Sequence, residues 1–249
     1  MAAQLTLNKK EIVDQFLNPI SRISEECSLS FRSDSVSTLV NDQTGAIILY
    51  GKIKTKTGLS DDQTISLNFK DLRKLIKIFD CIKDEEFQLK VDDNASIISH
   101  KSPGLSFKLH LVLDSVIKKC TASLDKISKL TFDSDFELTG DKISEILKGS
   151  IFATSSDKVY FYTKDGAVFA ELTDKATHEV DSITFSVANV YNGGDISTPL
   201  PFNMEILRII NSGKPEKTAV KLNNTYKILL FEICNPKVTF KYIIPGYTK

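Results

Sequence analysis

The residues with the most chemical content are four cations at helical spacing, Lys70, Arg73, Lys74 and Lys77. Their i, i+3, i+4, i+7 pattern puts them on one face of a helix. Lysine and arginine so arranged neutralise phosphates and release counterions without reading a base sequence. The same stripe also fits a plain solvated face, because Leu72, Leu75, Ile76, Phe79 and Ile82 form the apolar face opposite. Other helix-forming stretches carry Lys10, Arg22, Lys142, Lys148 and Arg208, with Lys214 just past the last of them. Asp14, Asp71 and Glu145 dilute this field, so contact with a polyanion is expected to be weak.

No catalytic constellation stands beside these cations. The chain has no G-x-x-x-x-G-K-[ST], G-x-S-x-G or H-E-x-x-H pattern. The pairs Asp61-Asp62 and Asp92-Asp93 read as solvated turns in preference to Mg²⁺ ligands. Gly193-Gly194 reads as a flexible loop and not a phosphate cradle, since no strand-to-helix context surrounds it. Cys27, Cys81, Cys120 and Cys234 include no C-x-x-C pair, and His100, His110 and His178 do not cluster. Free thiols in a reducing compartment are expected, with no metal site, no cofactor and no enzymatic activity.

Bulk properties place the chain among ordinary globular proteins. Of 249 residues, 41% are hydrophobic and 26% charged, which suits one large domain or two of roughly 120 residues. Lys plus Arg and Asp plus Glu each number 32, so any nucleic-acid function must come from charges sorted onto different faces. The start, Met1-Ala2-Ala3-Gln4-Leu5, lacks the apolar core of a signal peptide, and no run approaches a membrane span. A cytoplasmic protein with no membrane partner is expected.

The elements that must position the cations appear twice. Leu7-Asn8-Lys9-Lys10-Glu11-Ile12 and Leu138-Thr139-Gly140-Asp141-Lys142-Ile143 each open a helix, 131 residues apart. At the same offset, the strand–turn–strand at Leu89–Ile98 matches Val220–Leu229. One fold unit used twice is implied. In the first unit, periodicity predicts a helix over Asn8–Glu25, capped by Asn8 and either kinked or split into two turns at Pro19. Strands Cys27–Arg32, Val36–Val40, Ala46–Lys54 and Thr64–Phe69 follow, then a helix over Lys70–Ile82 and strands Glu86–Val91, Ser96–Ser99 and Leu105–Leu113. Asp114–Lys126 reads as a connector. The second unit runs strand Lys129–Phe136, helix Gly140–Phe152, hairpin Lys158–Tyr162/Ala167–Leu172 and strand Ser182–Val187. Helix Asn203–Asn211 and strands Thr218–Leu222, Lys227–Ile233 and Val238–Ile244 complete it. The class is α+β with antiparallel sheets and helices on one side. The domains run 1–113 and 127–249, joined by connector 114–126.

Three stretches in this ordered set resemble a known family: Thr64–Leu72, the hairpin Asp157–Val168 with its Lys164-Asp165-Gly166 turn, and the terminal strand Phe240–Pro245. The chain resembles the processivity sliding clamps, with its nearest likeness to the trimeric clamps of large tailed phages and a more distant one to proliferating cell nuclear antigen. The resemblance implies two similar clamp domains with two helices each on the channel face. It implies a viral replication protein in the host cytoplasm, assembled as a homotrimeric ring around duplex DNA and working with a DNA polymerase and a clamp loader. Edge strands would join the subunits, with Leu105–Leu113 on one side and a strand within Phe169–Val180 on the other. An apolar pocket for partner peptides would map to Val40, Val116, Ile117, Ile228, Ile243, Ile244 and Pro245. The chain departs from the cellular clamps in lacking an acidic balance and an acidic tail. The rival readings are a clamp relative used outside replication and a virion structural or interaction protein.

Overall fold

The computed structural model describes residues 3–120, 122–152, 157–173, 181–196 and 198–245. By packing, the chain divides into two compact units: Met1–Leu124 with Cys234–Phe240, and Asp125–Ile233 with Lys241–Lys249.

The first unit begins with β1 (Ala3–Asn8), followed by a π-helix (Lys10–Leu17) that runs into a single α turn, α1 (Asn18–Ile20). Strands β2 (Cys27–Arg32), β3 (Ser35–Asn41), β4 (Ile48–Lys54) and β5 (Ile65–Phe69) come next, then helix α2 (Leu72–Asp80) and strands β6 (Glu86–Val91), β7 (Ile97–Ser102) and β8 (Leu105–His110). The strands form two antiparallel groups, ordered β1-β6-β7-β8 and β4-β3-β2-β5. Both helical segments bury apolar faces: Ile12, Val13, Phe16 and Leu17 on the π-helix, and Leu72, Leu75, Ile76 and Phe79 on α2.

The strand pairing corrects the start of the helix expected over Asn8–Glu25. Leu5 and Leu7 alternate with Gln4 and Thr6 and pair with β6, so the chain is extended through Asn8. The Asn8 side chain still caps the π-helix, accepting the Glu11 N–H at 3.0 Å. Pro19 has no N–H with which to continue an i→i−4 ladder. The turn ahead of it is wide, and the Asn18 N–H reaches back to the Val13 carbonyl. Phe16 from this segment stacks on Phe240 with centroids 6.0 Å apart, and both rings close over Gly51. A Cβ at Gly51 would lie 3.0 Å from Phe240, so the absent side chain lets the rings reach β4.

The second unit holds α3 (Leu124–Ser128), β9 (Ser134–Thr139), α4 (Gly140–Gly149), β10 (Lys158–Lys164), β11 (Ala167–Leu172), β12 (Ile183–Ala188) and β13 (Asn192–Gly193). It continues with β14 (Leu200–Asn203), α5 (Glu205–Ser212), β15 (Lys217–Asn223), β16 (Ile228–Cys234) and the Lys241–Pro245 part of β17 (Val238–Pro245), whose first residues count with the first unit. Its antiparallel groups are ordered β12-β11-β10-β14 and β13-β9-β15-β16. The first strand starts at Ser134 and not at Lys129, because its partnership with β15 begins at Ser134↔Leu222. Asn192–Gly193, expected as a loop, pairs with Asp135–Ser134 as a short strand. The β14 strand, which local sequence did not suggest, pairs with β10.

The repeat is carried in the hydrogen-bond register. In the first unit Asn8 faces Glu86, Leu7 faces Phe87 and Leu5 faces Leu89. In the second, Thr139 faces Lys217, Leu138 faces Thr218 and Phe136 faces Val220. Each of these pairs is displaced by the same 131 residues seen in the sequence. Side chains alternate across a strand, so a slip of one residue would turn every apolar partner outward; the shared register therefore fixes the same core twice.

Candidate nucleic-acid interface and partner groove

Helix α2 is organised by its N-cap. The Asp71 side chain accepts the Lys74 N–H at 2.8 Å, and the Leu72 N–H bonds the Glu25 carbonyl at 2.7 Å. With the apolar face anchored, Arg73, Lys74 and Lys77 stand exposed on the other side. Lys77, in the last turn, also complements the helix dipole. Lys70 precedes the cap and so stands just outside the helix expected over Lys70–Ile82, with its Nζ paired to Glu26 Oε2 at 2.7 Å. The π-helix packs on α2. Lys10 opens the π-helix and Arg22 follows α1, both outside the apolar core. Sequence reasoning passed over Lys9, whose Nζ donates to the Ile82 carbonyl at 2.6 Å just beyond the end of α2.

The corresponding surface of the second unit is weaker. Helices α4 and α5 pack together, with Ser144 Oγ bonded to Asn211 Oδ1 at 3.0 Å. Lys142 pairs with Glu145 at 2.7 Å, and Arg208 pairs with Glu205 at 3.0 Å. Lys148 lies in the last turn of α4 and Lys214 just past α5. Among the described residues, the candidate cations with no ion-pair partner are Lys10, Arg22, Arg73, Lys74 and Lys77 in the first unit, against Lys148 and Lys214 in the second. The first unit thus holds the stronger positive face.

The residues expected to form the peptide pocket separate by unit. Val40 and Ile117, 5% and 6% exposed, line a cleft of about 200 Å³ with Cys27, Leu39, Lys118 and Cys120. Burial pushes the Cys27 thiol up, so it is a poor nucleophile. Val116 is exposed, as are Leu113 and Leu124, two neighbouring apolar residues that local sequence did not single out. Ile228, Ile243, Ile244 and Pro245 belong to the second unit; Ile243 and Ile244 are core, Ile228 is half-buried and Pro245 exposed. Residues 246–249 of the tail lie outside the described residues.

Each unit has a sheet edge suited to association. Strand β8 ends its sheet, and Leu105, Phe107 and Leu109 are half-exposed on one face. Of the interface strand expected within Phe169–Val180 in the second unit, Phe169–Leu172 belong to β11. Strand β11 lies between β10 and β12 and has no open side, while residues 174–180 lie outside the described residues. Among the described residues the edge strand is β12, with Ile183 and Phe185 half-exposed. Phe185 lies over Gly149, where a Cβ would stand 2.3 Å from the ring.

Among the described residues no group of three or more His, Cys, Asp or Glu side chains could hold a metal ion, and His178 lies outside them. Likewise no described helix is long and apolar enough to cross a membrane.

No family model and no characterised protein matches the chain by sequence. Solved structures do match. The PCNA of A. fulgidus, solved with the C-terminal region of FEN-1 bound, has a TM-score of 0.76 at 17% identity, covering 100% of this chain and 99% of that one. The PCNA of Entamoeba histolytica has a TM-score of 0.73 at 13% identity, covering 99% of this chain and 98% of that one. This chain has, over its whole length, the fold of the PCNA sliding clamps.

Proposed function

We propose that the protein is a sliding clamp: a homotrimeric ring that encircles duplex DNA, is placed there by a clamp loader and tethers a replicative DNA polymerase, in the cytoplasm of its host. The observation that carries the reading is the pair of sheet edges. With β8 in one unit and β12 in the other, a chain can pair head to tail with a second copy, and such a heterologous contact gives a closed ring when its rotation permits. Pairing would also cover two edges that otherwise invite aggregation. The surface of Lys10, Arg22, Lys70, Arg73, Lys74, Lys77, Lys142, Lys148, Arg208 and Lys214 faces DNA in this reading. The domains are 1–113 and 127–249 about the connector 114–126, and partner peptides are taken at Val40, Val116, Ile117, Ile228, Ile243, Ile244 and Pro245.

The mechanism is topological and needs no catalytic residue. The ring holds DNA by enclosure, so the ionic contacts can be weak and mobile. If three phosphates are neutralised at a time, intrinsic affinity falls roughly 40-fold between about 50 and 200 mM salt. Retention of the protein on a nicked circular plasmid at 200 mM salt, compared with the same plasmid linearised, tests the reading. A clamp stays on the circle and leaves the linear molecule by its ends; equal loss from both removes the proposal.

A further inference from the structure

We infer that Glu26 couples the cationic face of the first unit to the connector, so that phosphate bound at Lys70 firms the partner groove. The inference rests on the clamp reading for the identity of the phosphate and deepens it by joining two surfaces that the fold leaves separate.

Glu26 lies just ahead of β2 and uses its two oxygens on two different elements. Oε2 takes the Lys70 ammonium at 2.7 Å, and Oε1 takes the backbone N–H of Lys118, in the connector, at 3.3 Å. Lys118 is further held by its own Nζ, which donates to the Gln43 carbonyl at 3.2 Å. These groups line a cleft of about 140 Å³ with Ser24, Asn41 and Asp42. Lys118 also lines the neighbouring cleft that contains Val40 and Ile117. One residue therefore borders both spaces, and Glu26 holds its backbone.

The two bonds to Glu26 are unequal. The Lys70 contact is short and charge-assisted, whereas 3.3 Å is long for N–H···O, whose usual distance is about 2.9–3.0 Å. Lys70 thus draws the carboxylate away from the connector. A DNA phosphate that takes Lys70 removes that pull and adds like-charge repulsion from the same side. Both effects drive the carboxylate toward the Lys118 N–H and shorten the weaker bond. The connector is then firmer when DNA is present, and linkage requires that a peptide favouring the firm connector raise the affinity for DNA by the same factor.

The test is hydrogen exchange at the Lys118 amide in the full-length protein, with and without a 30-base-pair duplex at low salt, binding being followed separately by fluorescence anisotropy. In the wild type, duplex should slow exchange at Lys118 by about 5-fold or more, the low end of ordinary coupling. Glu26→Gln, which keeps an acceptor but loses the charge, should abolish the response. So should Lys70→Gln, while Glu25→Gln removes the same charge one residue away and should leave it intact. Duplex that binds without slowing Lys118, or a Glu26→Gln protein that responds like the wild type, overturns the coupling and leaves the clamp reading standing. A duplex that does not bind even at low salt overturns the coupling, which needs a phosphate at Lys70, and leaves the clamp reading to the plasmid comparison.

Discussion

The two units share a strand register to the residue and differ in what their helices offer to solvent. Asn8↔Glu86 and Thr139↔Lys217 are the same pairing moved along the chain. Yet among the described residues the first unit carries Arg73, Lys74 and Lys77 without ion-pair partners, while the second ties Lys142 to Glu145 and Arg208 to Glu205. The difference teaches that duplication preserves buried pairing, where a one-residue slip inverts every side chain, and leaves exposed charge free to diverge, where a substitution costs little. It also assigns unequal work: if the helices meet DNA, the first unit does most of the holding.

The largest effect is expected at the edges, where the units play complementary parts. Phe107→Glu on β8 or Phe185→Glu on β12 places a charge in the proposed junction, and each alone should weaken self-association by at least about 100-fold, given the cost of desolvating an unpaired charge. Sedimentation reads the loss, with circular dichroism confirming that the chain stays folded. If one substitution leaves assembly intact while the other breaks it, the head-to-tail pairing of these two strands is wrong.

Next in size is the contrast in charge. Reversing Arg73, Lys74 and Lys77 to Glu should reduce the logarithmic salt slope of duplex binding by about 2 of the roughly 2.7 that three phosphate contacts give, since each lost contact removes about 0.9. Reversing Lys148 and Arg208 should remove about 1, because Arg208 is already committed to Glu205. Equal losses would mean that the ion pairs of the second unit open freely and the asymmetry has no consequence.

Smaller still is the contrast between two close approaches. Gly51→Ala puts a Cβ against Phe240 and Phe16, both buried, and should cost about 1–3 kcal/mol in chemical denaturation. Gly149→Ala meets the ring end of the half-exposed Phe185, which can swing outward, so its stability cost should be lower and its effect should appear in self-association instead.

The smallest effect concerns two carboxylates, one in each unit. Burial pushes Glu11 up, but hydrogen bonds from Lys237 and Thr55 and the Lys237 charge outweigh it and leave the group below its ordinary value of 4.5. Glu232 is likewise pushed up by burial and brought below 4.5 by Lys221 and Lys241, at 3.0 and 3.1 Å. A depressed folded pKa means stability that is complete above the unfolded value and is lost as pH falls through the folded one. Glu232→Gln and Glu11→Gln should each cost up to about 1 kcal/mol at neutral pH, and the deficit should vanish below the folded values. Thermal melts at pH 7 and at falling pH, for as long as the protein stays folded, compare the two.

How much of this was legible depends on where each signal resides. The 131-residue offset, the apolar face of α2 and the Glu86–Val91 strand are local patterns, and they stand in the structure as the sequence suggests. Strand β1 was hidden because its pattern is only Leu5 and Leu7 before helical periodicity takes over. The choice between β11 and β12 as the edge could not be made locally: both alternate, and only pairing with β10 decides which strand is interior. On the cationic surface, the Lys142–Glu145 and Arg208–Glu205 ties were present in the spacing as i, i+3 pairs. The bond from Lys70 to Glu26 joins residues 44 apart and left no mark in the sequence.

Sedimentation equilibrium at micromolar concentration tests the central claim most directly, because a head-to-tail contact either closes or propagates. The account predicts one species with three times the 27.8 kDa mass of the chain, unchanged as concentration rises further. A monomer at every concentration, or a series of oligomers that grows without limit, would contradict it.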